Sequence, residues 1–382
     1  DSFYCPIMNA VEIAKELIKF DTSGPPTQEQ PCAEWIRDFL DDIGFRTTLQ
    51  VVEPGRANVI GKIGEGKEPG LVLSGHIDVV LAGDPDLWKV SRPFEPVEKE
   101  GYLYGRGACD MKGPDACMLQ VAQDYAKEDY KRQLTMVFTA GEDTGGWFVD
   151  RVIEDKLVTP AEAKYCVIGE PSLMEIIPVH KGSGGADIMI HGRASHSSKP
   201  ELGINANQKA ADFLYELRGL QEELNKEKHP LLGSTTVECT LMEGGFKANI
   251  IPDQAKLTIN YRLIPTHKEP EVSKGWFTSI IEKLSRNDPE FKAELTSHRA
   301  SNPLDVPLDS EIVTTLKDIL GTEPVGEPYY TEAVSYTSAG IPAIICGPGS
   351  IDQAHTPDEY ISLEQLSLGY KTYKELVKRT CL

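Results

Sequence analysis

The sequence predicts an α/β protein with a mixed, largely parallel sheet flanked by helices, into which a smaller α+β domain is inserted. Three short apolar runs, at 70–74, 134–139 and 165–168, are typical of strands buried on both faces. Residues 111–127, which lie between the first two runs, have apolar side chains at helical spacing. Strands that alternate with helices along a chain indicate a parallel sheet.

The other elements of this larger domain come before and after these strands. The chain up to about residue 62 has the pattern helix, turn, helix, strand, with a loop at 22–26 and helical spacing at 30–43. The N-terminus is an amphipathic segment without the basic start and apolar block of a signal peptide. A further buried strand is predicted at 341–346, near the end of the chain.

The pattern changes at residue 182. The glycine-rich run 182–185 predicts a hinge, and the alternation at 186–191 predicts a half-exposed antiparallel strand. The next elements are expected at 205–224 (helix), 237–241 and 255–262 (strands) and 274–284 (helix). We therefore divide the chain into an inserted domain at 182–299 and a larger domain made of 1–181 and 300–382.

The composition excludes several classes of function. The 382 residues carry 59 acids against 39 bases, a net charge of −20, which argues against nucleic acid or an anionic membrane as the main partner. No apolar run approaches the roughly 20 residues of a membrane span. The eight cysteines include no CxxC pair, so free thiols in a reducing cytoplasm are expected.

Acidic and histidine side chains follow the predicted strands. His76 and Asp78 end the first strand, where side chains two apart point to the same side. Imidazole is a good zinc ligand, and a carboxylate can orient it; the alternative is a histidine satisfied in a turn. Asp110 lies in a glycine-rich loop before a helix, where it can bridge two metal ions or simply cap the helix.

Three further clusters complete the pattern. Glu142 and Asp143 follow the second strand, where two adjacent acids repel each other unless cations are near. Glu170 ends the third strand, and His355 follows a tight turn and precedes a predicted helix. Because clustered buried acids without partners are costly, the five clusters together indicate a buried metal centre.

The motifs SGHIDVV, YGRGACDMKG, GEDTGG, IGEPS and AHTPDEY, in this order and spacing, resemble the M20 family of zinc peptidases and deacylases. The resemblance covers nearly the whole chain. It implies a zinc-peptidase-like catalytic domain and a ferredoxin-like inserted lid through which two subunits form a homodimer. It also implies two zinc ions per chain, which Co²⁺ can replace, and hydrolysis of a linear amide.

The resemblance assigns roles to the clustered residues. His76 and Glu170 would bind one zinc, Asp143 and His355 the other, and Asp110 both. Glu142 would be the general base and Asp78 would orient His76. The family usually has Glu-Glu where this chain has Glu142-Asp143. The ligand to the second metal is therefore one methylene shorter than usual. This difference bears on the occupancy and affinity of the second metal site.

Four more residues match positions of the family outside the metal cluster. His196 would stabilise the oxyanion in the partner's active site, although a surface histidine is the simpler interpretation of its polar loop. Asn249 and Arg262 would bind a substrate carboxylate; Arg262 can equally be a salt-bridged strand residue. Glu332 would contact a cationic substrate side chain, or be an exposed acid.

The resemblance implies a small N-acyl amino acid as the substrate, with N-acetylornithine as the first choice. Within the same class of enzyme, the alternatives are a desuccinylase that acts on succinyl-diaminopimelate and a metallo-dipeptidase. From a different class, a dimeric binding module without metal or activity is a third interpretation. The presence of all five candidate ligands together with Glu142 argues against it.

Overall fold

The computed structural model describes residues 7–65 and 68–382. Its α-helices are α1 (Ala10–Ile18), α2 (Gln30–Asp42), α3 (Lys112–Tyr125), α4 (Val149–Glu154), α5 (Ala206–Leu224), α6 (Pro270–Asn287), α7 (Glu311–Leu320), α8 (Ala333–Ser338) and α9 (Leu363–Cys381). Its strands are β1 (Arg46–Glu53), β2 (Arg56–Ile63), β3 (Glu68–His76), β4 (Val97–Lys99), β5 (Tyr102–Tyr104), β6 (Arg132–Thr139), β7 (Ala163–Pro171), β8 (Val179–His180), β9 (Gly182–His191), β10 (Ser195–His196), β11 (Thr236–Gly244), β12 (Ile250–Ile251), β13 (Gln254–Leu263), β14 (Lys292–Ser301), β15 (Leu304–Asp305), β16 (Gly326–Glu327), β17 (Ala343–Gly347) and β18 (Tyr360–Ser362).

The chain divides into two compact units. The first runs to Pro178 and continues through Val306–Val325 and Glu332–Leu382. The second comprises Val179–Asp305 with the short return Gly326–Thr331. The insertion expected at 182–299 falls inside this second unit, which extends a few residues further at each end.

The first unit is built on a six-stranded sheet in the order β1-β2-β6-β3-β7-β17. Strands β6, β3, β7 and β17 are parallel to one another, whereas β2 is antiparallel to both β1 and β6. The mixed, largely parallel sheet predicted from the apolar runs is confirmed. The parallel strands are almost entirely buried, as expected when helices cover both faces.

Helices α1, α3 and α9 pack on one another, and α2 packs on β1 and β2. The predicted N-terminal helix is α1, which is preceded by a capping box of Asn9 and Glu12; residues 1–6 lie outside the described part of the chain. At Gly75, close approach excludes any side chain, because a Cβ there would lie 2.1 Å from an oxygen of Asp115 on α3. Glycine therefore lets α3 pack tightly beside the end of β3.

The second unit has the element order β9, α5, β11, β13, α6, β14 around a four-stranded sheet. The strands lie in the order β11-β13-β9-β14, and each is antiparallel to its neighbours. This βαββαβ arrangement is the ferredoxin-like fold. Its core contains the inward-facing residues of β9 and β13, packed against Phe213 of α5 and Phe277 of α6.

The prediction of a hinge at 182–185 is wrong. These glycines belong to β9, which is hydrogen-bonded to β13 on one side and β14 on the other. The Tyr261 ring packs against Gly184, where a Cβ would lie 1.8 Å from a ring carbon, and the Arg299 side chain packs against Gly185 in the same way. The glycine run therefore reflects close packing, a second reason for glycine besides backbone freedom.

Two expectations from composition can be compared with the structure. None of the helices in the described part of the chain is both long and apolar enough to span a bilayer. The seven cysteines among the described residues are free, and all but Cys239 are buried.

Candidate metal centre

The parallel strands bring the predicted site residues to one edge of the sheet. The carboxyl ends of β6, β3, β7 and β17 meet there, as in other open α/β sheets. His76 is the last residue of β3, and Glu170 lies next to the end of β7. Glu142 and Asp143 lie just beyond the end of β6. Four side chains from three neighbouring strands thus reach a common region of the first unit.

Asp110 lies between the two histidines. Its Oδ1 is 3.0 Å from His76 Nε2, and its Oδ2 is 3.2 Å from His355 Nε2. His355 Nε2 is also 3.0 Å from Asp143 Oδ1. A carboxylate with one oxygen facing each imidazole is well placed to bridge two metal ions.

Two overlapping sets of potential ligand atoms surround His76. The ligand atoms of His76, Glu142 and Glu170 lie within 4.8 Å of one another, and so do those of His76, Asp110 and Asp143. His76 Nε2 lies 3.6 Å from Glu170 Oε1. All five predicted ligands, with Glu142, are therefore assembled within the first unit.

His76 is held in the tautomer that a metal ligand needs. Its Nδ1 lies 3.0 Å from the backbone carbonyl oxygen of Asp78, which can only accept a hydrogen bond. Nδ1 therefore carries a proton, and Nε2, which faces Asp110 and Glu170, is the nitrogen that can bind a metal once it has lost its own proton. The Asp78 carboxylate is further away, with Oδ1 3.6 Å from Nδ1. It accepts hydrogen bonds from the backbone N–H groups of Glu142 and Thr144.

The electrostatics of the cluster favour cations. Burial, followed by the charges of neighbouring carboxylates, raises the pKa of Glu142 and of Glu170 well above the usual value for glutamate. Hydrogen bonds to Asp110 and Asp143 raise the pKa of His355 to about 10. Burial opposes ionisation of Asp110, but hydrogen bonds from His355 and His76 lower its pKa on balance.

Two local features fit a site that holds divalent cations. Asp143 Oδ2 is buried without a hydrogen-bond partner, although unpaired buried carboxylate oxygens are costly. His355 has a φ of 62°, in the left-handed region that a non-glycine residue adopts at a cost. Imidazole nitrogens and carboxylate oxygens are also the ligand types that zinc accepts.

A buried ion pair that the sequence analysis missed ties the Asp110 loop to the His355 segment. Glu359 Oε1 accepts hydrogen bonds from the N–H groups of Cys109 and Asp110, at 2.9 and 3.0 Å, and Oε2 pairs with Arg106. The N-cap interpretation of Asp110 is wrong, because Met111 occupies that position of α3. Glu359 lies in the AHTPDEY motif, so its importance could have been suspected from the sequence. Its contact with the Asp110 loop could not, because the two lie 249 residues apart along the chain.

Two other predictions for this region have definite outcomes. Cys109, for which the sequence leaves open a reactive thiol or a small buried filler, is a buried filler: its thiol donates to the Ser350 carbonyl, and burial raises its pKa well above that of a free thiol. His355 does not lead directly into a helix: β18 comes first, and its Ser362 then caps α9.

Glu332 is in the first unit but does not face solvent. Its carboxylate is 1 % exposed, and both oxygens accept hydrogen bonds from the Thr139 hydroxyl at the end of β6. Burial raises the pKa of Glu332 to about 8. The interpretation as an exposed acid is wrong. Contact with a substrate would require the carboxylate to turn away from Thr139.

The three remaining predicted residues lie in the second unit. Strand β10 pairs with β12, so His196 lies opposite Ile250 and next to Asn249, whose carbonyl accepts from the N–H of Ser197. His196 is exposed. Arg262 lies at the far end of β13, in register with Ser183. The fold brings His196 and Asn249 together and separates them from Arg262.

Similarity to known proteins agrees with this site. Residues 72–379 match the family model described as Peptidase family M20/M25/M40. An acetylornithine deacetylase of Myxococcus xanthus is 32% identical over 335 residues, which cover 86% of this chain and 83% of the relative. A probable succinyl-diaminopimelate desuccinylase of Staphylococcus aureus is 27% identical over 400 residues, 96% of each protein.

Solved structures show the same fold at low identity. Aminopeptidase PepT of Bacillus cereus has a TM-score of 0.78 and 19% identity, over 97% of each chain. YXEP of Bacillus subtilis, described as a dinuclear metal-binding peptidase, has a TM-score of 0.65 and 17% identity over 96% of each chain. The fold and the cluster define a metal-dependent hydrolase of linear amides. The chain belongs to peptidase family M20.

Proposed function

We propose that the protein is a two-zinc deacylase that removes an acetyl group from the amine of a small amino acid, with N-acetyl-L-ornithine as its substrate. The observation that carries the proposal is the placement of Asp110 between His76 and His355, with acids on both sides. Relatives named acetylornithine deacetylase support the choice of substrate. We place the enzyme in the cytoplasm, in keeping with its free thiols.

In this proposal, His76 and Glu170 would hold one zinc, Asp143 and His355 would hold the other, and Asp110 would be a ligand of both. Bound zinc polarises a carbonyl and makes water more acidic. Co²⁺ is expected to substitute for zinc, since it accepts the same ligands.

Glu142 is proposed as the general base. Its raised pKa, caused first by burial, makes the carboxylate a stronger base than an exposed glutamate. Glu142 takes a proton from the attacking water and then delivers it to the nitrogen of the leaving amine. The bond that breaks joins the acyl carbon to that nitrogen, and water supplies the new oxygen of acetate.

His196 is proposed to stabilise the oxyanion. Its Nδ1 lies 2.7 Å from the Ser198 hydroxyl and 3.2 Å from the N–H of Ser198, which leaves Nε2 of this exposed side chain to meet a substrate. An Nε2–H group is the donor that a developing oxyanion needs.

The geometry of the second unit supports a homodimer in which His196 acts on the partner's site. Asn249 and His196 lie near the end of β13 that begins at Gln254, whereas Arg262 is eight residues further along this strand. At about 3.3 Å per residue, that is roughly 26 Å. A small substrate cannot span this distance. Arg262 therefore cannot contact the same substrate as His196 or Asn249 of its own chain. If these residues bind one substrate together, Arg262 must come from one chain and the other residue from its partner.

Mixing two inactive variants tests this arrangement. His196→Ala and Glu142→Gln chains each lack one group, but a heterodimer has one complete site if His196 acts across the interface. Random mixing should restore about a quarter of the unmodified activity, since half of the dimers are mixed and each has one complete site. No recovery with heterodimers verified by mass would contradict action on the partner's site.

A substrate panel tests the proposed function. The purified chain, loaded with zinc or cobalt, is offered N-acetylornithine, N-acetylmethionine, N-succinyl-diaminopimelate, a formyl amino acid and a dipeptide. The highest kcat/KM is expected for N-acetylornithine. The desuccinylase named among the relatives makes succinyl-diaminopimelate the specific alternative. Preference for it, or for the dipeptide, would reject the proposed substrate, and a metal-loaded chain inert toward every amide would indicate a binding module.

A further inference from the structure

Two side chains of a neighbouring strand, β2, hold the loop that carries the proposed base. This strand lies outside the motifs that resemble the family. Residues 140–148, which we call the base loop, follow β6 and include Glu142 and Asp143. Strand β2 runs antiparallel beside β6. Arg56 and Asn58 are two apart on β2, so both side chains point to the same side of the sheet.

Asn58 holds both ends of the base loop. Its Oδ1 accepts from the N–H of Ala140 at 2.8 Å, and its Nδ2 donates to the carbonyl of Phe148 at 2.9 Å. Asn58 is fully buried, so water cannot replace these contacts. One side chain thus closes the loop at its first and last residues.

Arg56 holds the middle of the same loop. Its Nη2 donates to Thr144 Oγ1 at 2.7 Å, and its Nη1 donates to the carbonyl of Gly145 at 3.0 Å. On its other side the guanidinium pairs with Glu29, which is fully buried, through Nε and Nη2. Arg56 also lies 4.6 Å from the centre of the Phe148 ring. The planar fork of arginine makes these contacts together, which a lysine ammonium cannot do.

The contact from Arg56 continues to Glu142. Because Thr144 Oγ1 accepts from Arg56, its own proton is directed to Asp78 Oδ2, at 2.9 Å. Asp78 Oδ2 also accepts from the N–H of Thr144, and Asp78 Oδ1 accepts from the N–H of Glu142 at 3.1 Å. A continuous set of hydrogen bonds therefore joins Arg56 to the backbone of the base.

We infer that Arg56 and Asn58 are positioning residues that hold the base loop, and with it Glu142, in the geometry that proton transfer requires. This inference rests on the proposed role of Glu142. A base must lie within hydrogen-bond distance of both the water and the leaving nitrogen. A displacement of about 1 Å by a change away from the chemistry can cost roughly 10²-fold in rate.

Two single variants and their combination test the inference. Arg56→Lys keeps a positive charge opposite Glu29 but loses the fork, and Thr144→Val removes the hydroxyl in the middle of the connection. Each should lower kcat by roughly 10- to 100-fold, with KM changed less than about twofold and bound metal unchanged. The double variant should lose little more than the worse single variant, because both changes break the same connection.

The controls separate positioning from general damage to the fold. Lys62→Met, on the same strand, removes the pair with Glu162 and does not touch the base loop, so it should keep the unmodified kcat. Thr144→Ser keeps the hydroxyl and should lose less than Thr144→Val. Thermal unfolding and metal counting on every variant identify losses that come from unfolding. If Arg56→Lys does not fold, Thr144→Val and Thr144→Ser carry the test.

All rates are measured on the panel substrate that the unmodified chain hydrolyses fastest, with Glu142→Gln in parallel. Losses in the two single variants that multiply in the double variant would overturn the inference. Unchanged kcat in Arg56→Lys and Thr144→Val would also overturn it, and so would a loss of rate explained by lost metal. An active Glu142→Gln variant would instead reject the assignment of the base, and so distinguishes failure of the proposed function.

Discussion

The two halves of the metal cluster use the same kinds of ligand but are built differently. In one half, His76 and Glu170 belong to β3 and β7, and their side chains are 1 % and 8 % exposed. In the other half, Asp143 and His355 lie on loops, and the His355 side chain is 50 % exposed. Ligands on rigid, buried strands hold a fixed geometry better than ligands on loops. We therefore expect the half with His76 to retain its metal longer.

Asp110 links the two halves of the metal cluster. Buried carboxylates fix the backbone of Asp110 itself and of Glu142. Glu359 fixes the backbone of Asp110, and Asp78 fixes the backbone of Glu142. Asp143 and Glu170 are equally buried, each with 8 % of the side chain exposed, so the halves differ in the loops that carry Asp143 and His355 and in the half-exposed His355 side chain. The difference predicts a graded response when ligands are removed one at a time.

The largest effect is expected in the buried half. His76→Ala should remove the metal of that half and lower turnover by roughly 10³-fold or more, because several kcal/mol of charge stabilisation are lost. Metal counting by mass spectrometry and initial rates measure both quantities, and circular dichroism checks the fold. If the variant keeps both metals, His76 is not a ligand and the comparison of the two halves fails.

Glu142→Gln should lose nearly as much activity while keeping both metals. The amide has about the same shape but cannot accept a proton, and general-base catalysis contributes about 10²–10⁴-fold. Bound metal and kcat are measured on the same preparation. Loss of a metal here, together with full metal content in Asp143→Asn, would mean that the base and the ligand are reversed.

A smaller and reversible effect is expected in the exposed half. Asp143→Asn should weaken the second metal by at least about tenfold, so that added zinc or cobalt restores part of the activity. Asp143→Glu should keep or tighten this metal if the backbone of the base loop adjusts to the longer side chain. Activity is titrated against metal concentration for both variants. Equal metal affinity in Asp143→Asn and the unmodified chain would remove Asp143 from the ligand set.

The smallest effect is expected at Glu332. If its carboxylate turns from Thr139 to meet a cationic side chain, Glu332→Gln should lose about tenfold more activity on N-acetylornithine than on N-acetylmethionine, as for one charged hydrogen bond. The ratio of kcat/KM values for the two substrates measures the effect. Equal losses on both substrates would give Glu332 a structural role beside Thr139.

The sequence predicts the site best where the candidate residues lie at the ends of buried strands. The placement of His76, Glu142 and Glu170 together follows from the parallel sheet, because parallel strands bring their carboxyl ends to one edge. Asp110 and His355 also stand out in the sequence, but only the family likeness gives each a definite role as a ligand, because their loops have no such regular geometry. This part of the site could be predicted without coordinates.

The supporting contacts could not be predicted in that way. Arg56 meets Thr144 at a separation of 88 residues, and Glu359 meets Asp110 at 249. Some of their partners are backbone groups, such as the carbonyl of Gly145 and the N–H of Asp110, which leave no mark in the sequence. Gly184 was misinterpreted for a related reason: a glycine signals either a flexible backbone or a close neighbour, and only the packed Tyr261 ring distinguishes them.

Stepwise removal of metal from the unmodified chain tests whether two metal ions, held with unequal affinity, support hydrolysis. A chelator is titrated into the metal-loaded chain while bound metal and activity are followed together. We expect two metal equivalents per chain. The first should leave at low chelator concentration and lower the rate, and the second should leave at higher concentration and abolish the remaining activity. Full activity in a chain that exhaustive chelation has left without metal would contradict the account.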